Sequence, residues 1–120
     1  MHMNFLSRLF QKKPDLKDRV SFDDQKIMRQ MPDGRIESVR WDDLVEVGIV
    51  TTDEGPFTDD IFWILKGRSG NCAVPSEADG MKELLFRLQQ LPGFNNDAVI
   101  EAAGSTSNAS FQCWRRENAP

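Results

Sequence analysis

The stretch from Trp41 to Leu65 reads WDDLVEVGIVTTDEGPFTDDIFWIL and decides the fold. Its two apolar runs, VEVGIV and IFWIL, have the length and the β-branched and aromatic content of strands. The second run is apolar at every position, which is typical of a central strand or of a strand covered by a helix. The connection TTDEGPFTDD is rich in acids and contains Gly-Pro, so it predicts a loop between the two strands.

Strand signals continue on both sides of this pair. The segments RVSFDD, KIMRQMP and RIESVRW precede it, and NCAVP and SFQCWRR follow it. Pro32-Asp33-Gly34 and the glycines of KGRSGN have the chemistry of tight turns, so each predicts a hairpin. In RIESVRW, Ile36 and Val39 are out of phase for one face of a strand, which predicts a bulge or a bend near Ser38.

Two helix signals separate NCAVP from SFQCWRR. In the stronger one, Ser76 with Asp79 predicts a capping arrangement, and Pro92-Gly93 predicts the end of the helix. Leu88 is central in its apolar stripe, so we expect Leu88 to be buried. The segment NNDAVIEAA predicts a second, short helix with Asn95 or Asn96 as its N-cap. The stripe of the first helix consists of Met81, Leu84, Leu85, Leu88 and Leu91.

These elements predict one α+β domain over residues 20–116. We expect a bent antiparallel β-sheet of five to seven strands, covered by one main α-helix. Residues 1–19 form a short amphipathic N-terminal segment with a polar linker, and residues 117–120 form a tail.

The charge is distributed unevenly along the chain. The net charge is -4, but residues 1–40 hold nine Lys or Arg against six Asp or Glu, and residues 41–120 hold six against thirteen. The larger, acidic part would repel a phosphate backbone, so the sequence disfavours nucleic-acid binding and favours a basic protein partner. With two cysteines and no apolar run long enough to span a bilayer, we expect a cytoplasmic protein.

The sequence contains no catalytic or cofactor signature. The only histidine is His2, so the folded body lacks an imidazole base, and no phosphate-binding glycine motif occurs. Cys72 and Cys113 are predicted to be buried thiols, with their pairing left open. We therefore predict a non-enzymatic protein without cofactor, catalytic residues or metal site. A carboxylate-dependent hydrolase that uses the paired acids is an alternative.

Two segments are candidate contact sites. In the acidic connection, Asp53, Glu54, Asp59 and Asp60 would steer a basic partner, with Phe57 as an apolar anchor; a solvated turn is the competing interpretation. At the N-terminus, Phe5, Leu6, Leu9 and Phe10 lie on one side of a predicted short helix beside Arg8, Lys12 and Lys13. That helix would be a weak membrane anchor of a peripheral adaptor, or it would dock on the domain itself.

Several of these runs carry a resemblance. WDDLVEVGIVTTDEGP, DIFWIL, LLFRLQQLPGF and FQCWRR together resemble a family of small, largely uncharacterised bacterial proteins. The order of strands with a later helix is similar to bacterial pleckstrin-homology-like domains, although two helices before a closing strand depart from that pattern. The small acidic character resembles immunity proteins. The resemblance implies a barrel-like sheet and an antagonist of a partner protein, and it supplies no activity.

Overall fold

The computed structural model describes residues 17–53 and 61–117. Within them the chain is α+β, as predicted, because six strands precede two helices and a seventh strand follows them. The elements are β1 (Arg19–Phe22), β2 (Lys26–Gln30), β3 (Ile36–Arg40), a 3-10 turn (Trp41–Asp43), β4 (Leu44–Thr51), β5 (Ile61–Gly67), β6 (Asn71–Pro75), α1 (Met81–Leu88), α2 (Asn96–Ala103) and β7 (Ala109–Arg115).

The strands form two antiparallel sheets in the described part of the chain. Their orders are β1-β2-β3 and β6-β5-β4-β7. The prediction of one bent sheet is therefore wrong. The ladder stops at the 3-10 turn between β3 and β4, and β3 meets β6 through a side chain, because Glu37 Oε1 accepts the N–H of Ala73 at 3.1 Å. The prediction of a central strand for IFWIL is confirmed, since β5 lies between β4 and β6.

Both predicted hairpin turns are present. Gly34, with φ of 92°, donates its N–H to the Met31 carbonyl at 2.9 Å, and the Gly67 N–H donates to the Gly70 carbonyl at 2.8 Å. The bulge expected near Ser38 is wrong, because β2 and β3 pair without interruption from Lys26 and Arg40 to Gln30 and Ile36. Ile36 breaks the pattern because it lies exposed at the start of β3.

Helices α1 and α2 each contain eight residues, so the prediction of one main helix is wrong. The Ser76 and Asp79 cap is also wrong. Residues 76–79 form a turn in which the Asp79 carbonyl accepts the N–H of Val20 at 2.8 Å, and α1 begins after Gly80, which has a φ of 91°. The Asn95 cap of α2 is confirmed, since its Oδ1 accepts the N–H groups of Asp97 at 3.0 Å and Ala98 at 3.3 Å.

The core lies between the two sheets and the helices. Leu88 is fully buried, as predicted, together with Leu84 of the same helix. Trp114 closes the core from β7, and its indole N–H donates to the Pro92 carbonyl at 2.9 Å. No helix among the described residues is long and apolar enough to cross a membrane.

Candidate binding surface

The β4–β5 ladder decides which side chains face away from the core. Val47 pairs with Leu65 and Ile49 pairs with Trp63, and all four are buried. Successive residues of a strand point to opposite faces, so the intervening pairs lie on the other side of the sheet. These pairs are Gly48 with Ile64 and Val50 with Phe62.

We call this side of the sheet the outer sheet face. Its apolar side chains are only half-buried, although the sheet has four strands. Both helices contribute their buried residues to the core on the opposite side, Ala98 and Ala102 of α2 among them. The outer sheet face comprises Gly48 and Val50 of β4, Phe62 and Ile64 of β5, Ala73 of β6, and Ser110 and Gln112 of β7.

A groove crosses the outer sheet face at Gly48. Gly48 lies between Ile64 of β5 and Gln112 of β7 in the register, and because it has no side chain it leaves a gap in the row. The groove has a volume of about 340 Å³, and Val50 and Ser110 line it as well. A Cβ at Gly48 would lie 3.1 Å from the Phe111 carbonyl oxygen, so the close approach of β7 also favours glycine here.

Charges of both signs border one end of the groove. Glu46 Oε1 on β4 forms an ion pair with Arg115 Nη1 on β7, at a distance of 3.6 Å. Lys66 is opposite Glu46 on β5 and is exposed. This end therefore offers a partner both a carboxylate and an ammonium group.

The other end of the outer sheet face leads into the acidic connection. Thr51, which is buried, donates its hydroxyl to the Ser107 carbonyl at 2.7 Å and so ties the end of β4 to the loop before β7. Asp53 is exposed, and its N–H donates to Asn108 Oδ1 at 3.2 Å. Asp53, the first of the predicted contact residues, therefore has a fixed backbone position, three residues after Val50 of the outer sheet face.

The remaining predicted contact residues lie outside the described part of the chain. These are Glu54, Phe57, Asp59 and Asp60 of the acidic connection, and Phe5, Leu6, Leu9 and Phe10 of the N-terminal segment.

The other paired acids have structural roles in turns. Asp43 Oδ2 accepts the hydroxyl of Ser69 at 2.7 Å and its N–H at 2.9 Å, and the hydroxyl bond is the main reason why the pKa of Asp43 is lowered. Asp23 Oδ1 accepts the N–H groups of Lys26 and Gln25, and the Lys26 bond contributes most to its lowered pKa. Among the described residues, no three His, Cys, Asp or Glu side chains group as metal ligands would.

Both cysteines are buried free thiols, as predicted. Cys72 lies on β6 and Cys113 on β7, which are the two edges of the four-stranded sheet. Three strand spacings of about 4.8 Å separate them by roughly 14 Å, well beyond the span of a disulfide. Burial raises the pKa of each thiol to about 11, and the carboxylate of Glu37 adds to the effect at Cys72.

The sequence interpretation missed the outer sheet face. It assigned the apolar contact to Phe57 and interpreted IFWIL as a central strand or a strand covered by a helix. Two signals point to such a surface without saying which row is exposed: the glycine inside an otherwise apolar strand, and the alternation that places Phe62 and Ile64 opposite Trp63 and Leu65.

Comparison of the chain with protein-family models, with curated proteins and with solved structures yields no match. The resemblance to a bacterial family, to pleckstrin-homology-like domains and to immunity proteins therefore stays a prediction.

Proposed function

We propose that this chain is a non-enzymatic protein-binding module whose outer sheet face takes a short segment of a basic partner. The observation that carries the proposal is the half-buried apolar row of Val50, Phe62 and Ile64, of which Val50 and Ile64 line the groove at Gly48. Outward faces of antiparallel sheets are normally polar, and an apolar one marks a surface that another group covers.

The chemistry of the surface favours one kind of partner. The groove over Gly48 accommodates an apolar side chain, and Ile64 and Val50 would flank it. The acidic connection begins at Asp53, beyond the other end of β4, so basic residues next to that apolar side chain would be attracted there. A segment with one apolar anchor and adjacent Lys or Arg fits both features.

The small size of the surface favours weak binding. Four strands at about 4.8 Å and five residues at about 3.4 Å give a footprint of roughly 300 Å². Stable complexes between proteins bury about 800 Å² on each partner, so this face alone supports weak, reversible binding of a short segment. An antagonist of the immunity type would act by occluding the bound segment of its target.

Selection of binders from a random peptide display library tests the proposal. The full chain is the target, and the Ile64→Asp variant serves as the counter-target. We expect the enriched peptides to combine an aromatic or aliphatic residue with Lys or Arg, and to bind with a Kd in the micromolar range.

Ile100→Asp is the matched control, because Ile100 is an isoleucine that is 70% exposed and belongs to α2, whose buried residues pack in the core on the opposite side of the sheet. Binding should fall at least tenfold in Ile64→Asp and stay at the native level in Ile100→Asp, provided that both variants unfold cooperatively. Peptides that bind native protein and Ile64→Asp equally well would refute the assignment of the surface.

A further inference from the structure

In the described part of the chain, the β7 edge of the four-stranded sheet carries unpaired backbone groups, and we propose that the partner segment adds to this edge as a fifth strand, antiparallel to β7. The inference rests on the proposed function, because it assigns a conformation and a direction to the segment that the outer sheet face binds. It depends on the direction of the β7 backbone groups, on the partners of the other sheet edges and on the position of the groove.

The register shows which backbone groups of β7 point away from the sheet. Among the described strands, β7 pairs with β4. A Cβ at Gly48 would lie 3.1 Å from the Phe111 carbonyl oxygen, so this carbonyl points toward β4. Successive residues of an antiparallel ladder direct their backbone groups to opposite sides. The N–H and C=O groups of Ser110 and Gln112 therefore point outward.

The open part of β7 is short and uncharged. Within residues 17–53 and 61–117, the outward groups of Ser110 and Gln112 bond to no other residue. The Cys113 carbonyl, in contrast, accepts the N–H of Asn95 at 2.7 Å, so the loop before α2 occupies the edge from there on. We call residues 109–112 the free edge; they include no charged residue and no proline. Four extended residues measure about 14 Å.

The other sheet edges have partners within the described chain. On β1, the Val20 N–H donates to the Asp79 carbonyl at 2.8 Å. The edges of β3 and β6 meet, where Glu37 Oε1 accepts the N–H of Ala73 at 3.1 Å. Natural proteins cover, charge or interrupt sheet edges, because unpaired backbone groups pair readily with another chain. The free edge has none of these protections, so it is suited to the addition of a strand.

An added strand would continue the rows of the outer sheet face. Gln112 is the register partner of Gly48, and Ser110 is the register partner of Val50. The residues of the new strand opposite Ser110 and Gln112 would point to the same face. Ser110 is small, so an apolar side chain opposite it would extend over its hydroxyl toward Val50, in the groove that both residues line. The same segment can therefore pair with the free edge and fill the groove.

The acidic end of the sheet defines where the basic residues of the segment lie. The Asp53 N–H donates to Asn108 Oδ1 at 3.2 Å, so Asp53 is next to the start of β7. Antiparallel pairing is slightly more stable per residue than parallel pairing. In that direction the C-terminal end of the segment passes Asn108 and approaches Asp53. The segment should therefore carry its Lys or Arg after the apolar residue.

The size of the free edge favours a short segment over a second copy of the chain. Two β7 strands paired edge to edge would meet over about 14 Å, and a sheet is about 10 Å thick, which gives a contact of roughly 140 Å². Stable complexes bury about 800 Å² on each partner. Edge pairing of two copies therefore falls far short of a stable dimer, whereas a short segment also gains the contacts of the groove.

Amide hydrogen exchange of the full chain tests the mode of binding. The chain is measured alone and saturated with the tightest peptide from the display selection. In the free chain, the amides of Ser110 and Gln112 should exchange rapidly and that of Phe111 slowly, because Phe111 bonds to β4. At saturation, exchange at Ser110 and Gln112 should slow at least tenfold. Slow exchange of both amides in the free chain, or unchanged rates at saturation, would overturn the proposal.

Ser110→Pro and Ser110→Ala form a matched pair of variants. Both remove the hydroxyl group, but only proline removes the N–H, and an edge strand tolerates proline where the N–H points outward. Peptide binding should fall at least tenfold in Ser110→Pro and stay at the native level in Ser110→Ala. Equal binding by the two variants contradicts strand addition.

A series of peptides N-methylated at single positions gives the same test without a change in the protein. Methylation removes one donor of the peptide at a time, and alternate residues of a strand face the free edge. We expect affinity to fall at alternate positions. Full affinity at every methylated position would contradict strand addition.

The outcomes separate this inference from the proposed function. Peptide-induced changes on the outer sheet face without protection of Ser110 and Gln112 would leave the proposed function intact and overturn strand addition. Absence of any binding peptide contradicts the proposed function. Protection of the two amides that rises with protein concentration, without peptide, would assign the free edge to a second copy and also overturn the inference.

Discussion

At the scale of single residues, Leu88 tests the packing of α1 on the core. Its side chain is fully buried, so Leu88→Ala removes apolar contacts and leaves a cavity, and the free energy of unfolding should fall by about 2 to 5 kcal/mol. Phe86→Ala is the matched control in the same helix, since Phe86 is 64% exposed. It should change stability by less than about 0.5 kcal/mol. Equal denaturant midpoints for the two variants would contradict the packing.

The two buried cysteines should make the stability of the fold depend on pH. Burial raises the pKa of Cys72 and Cys113 from 9.0 to about 11, so the folded state disfavours both thiolates. The contribution to stability is fully present below pH 9 and is lost as the pH rises toward 11, because the unfolded thiols ionise first. We expect thermal unfolding to shift to lower temperature over that window.

The matching kinetic experiment is the reaction with a thiol reagent at pH 8. Two pKa units correspond to about 100-fold less thiolate, and burial slows access further, so modification should follow unfolding of the chain. Rapid modification of both thiols in the folded protein would contradict their burial.

At the scale of elements, the acidic connection between β4 and β5 should control association. Replacement of Asp53, Glu54, Asp59 and Asp60 by Asn or Gln removes four negative charges from the connection, so association with a basic library peptide should slow and lose salt dependence. The stability should change little, since exposed charges contribute little. Stopped-flow fluorescence measures the rates.

A matched variant separates local steering from net charge. Asp24, Glu77, Glu83 and Glu101 are exposed acids on other elements, and their replacement changes the net charge by the same amount. Association should slow much less in this variant. Equal rates in the two neutralised proteins, or an association rate that salt does not affect, would rule out the connection as the steering surface.

The elements also show which parts of the fold local sequence determines. The hairpins at Gly34 and at Gly67 to Gly70, and the Asn95 cap, follow from turn and cap chemistry within a few residues. The separation into two sheets does not, because it depends on the pairing of β7 with β4 across the two helices. The start of α1 was also missed, since Asp79 bonds to β1 rather than to its own helix.

The candidate site was predictable only in part. The acid-rich connection is evident from the sequence, and Asp53 lies just after the end of β4, as the predicted strand VEVGIVTT implies. The outer sheet face needed the strand order, because an apolar residue of β5 is in the core or on the surface depending on which side the helices cover. Sequence alternation separates Phe62 and Ile64 from Trp63 and Leu65, but it does not say which row is buried.

At the scale of the whole molecule, residues 17–117 should fold without the N-terminal segment. The core and the contacts of Asp18 with Arg29 are formed within the described residues. Deletion of residues 1–13 should therefore preserve cooperative unfolding, as measured by circular dichroism during heating. Loss of the cooperative transition would show that the segment belongs to the core.

The central claim is that the outer sheet face binds a partner segment, and mapping a selected library peptide by amide chemical shifts on the labelled full chain tests it most directly. We expect the largest, saturable shifts at Gly48, Val50, Ile64 and Gln112, and their loss in Ile64→Asp. Shifts that concentrate on α1 or α2, with the outer sheet face unchanged at saturation, would contradict it.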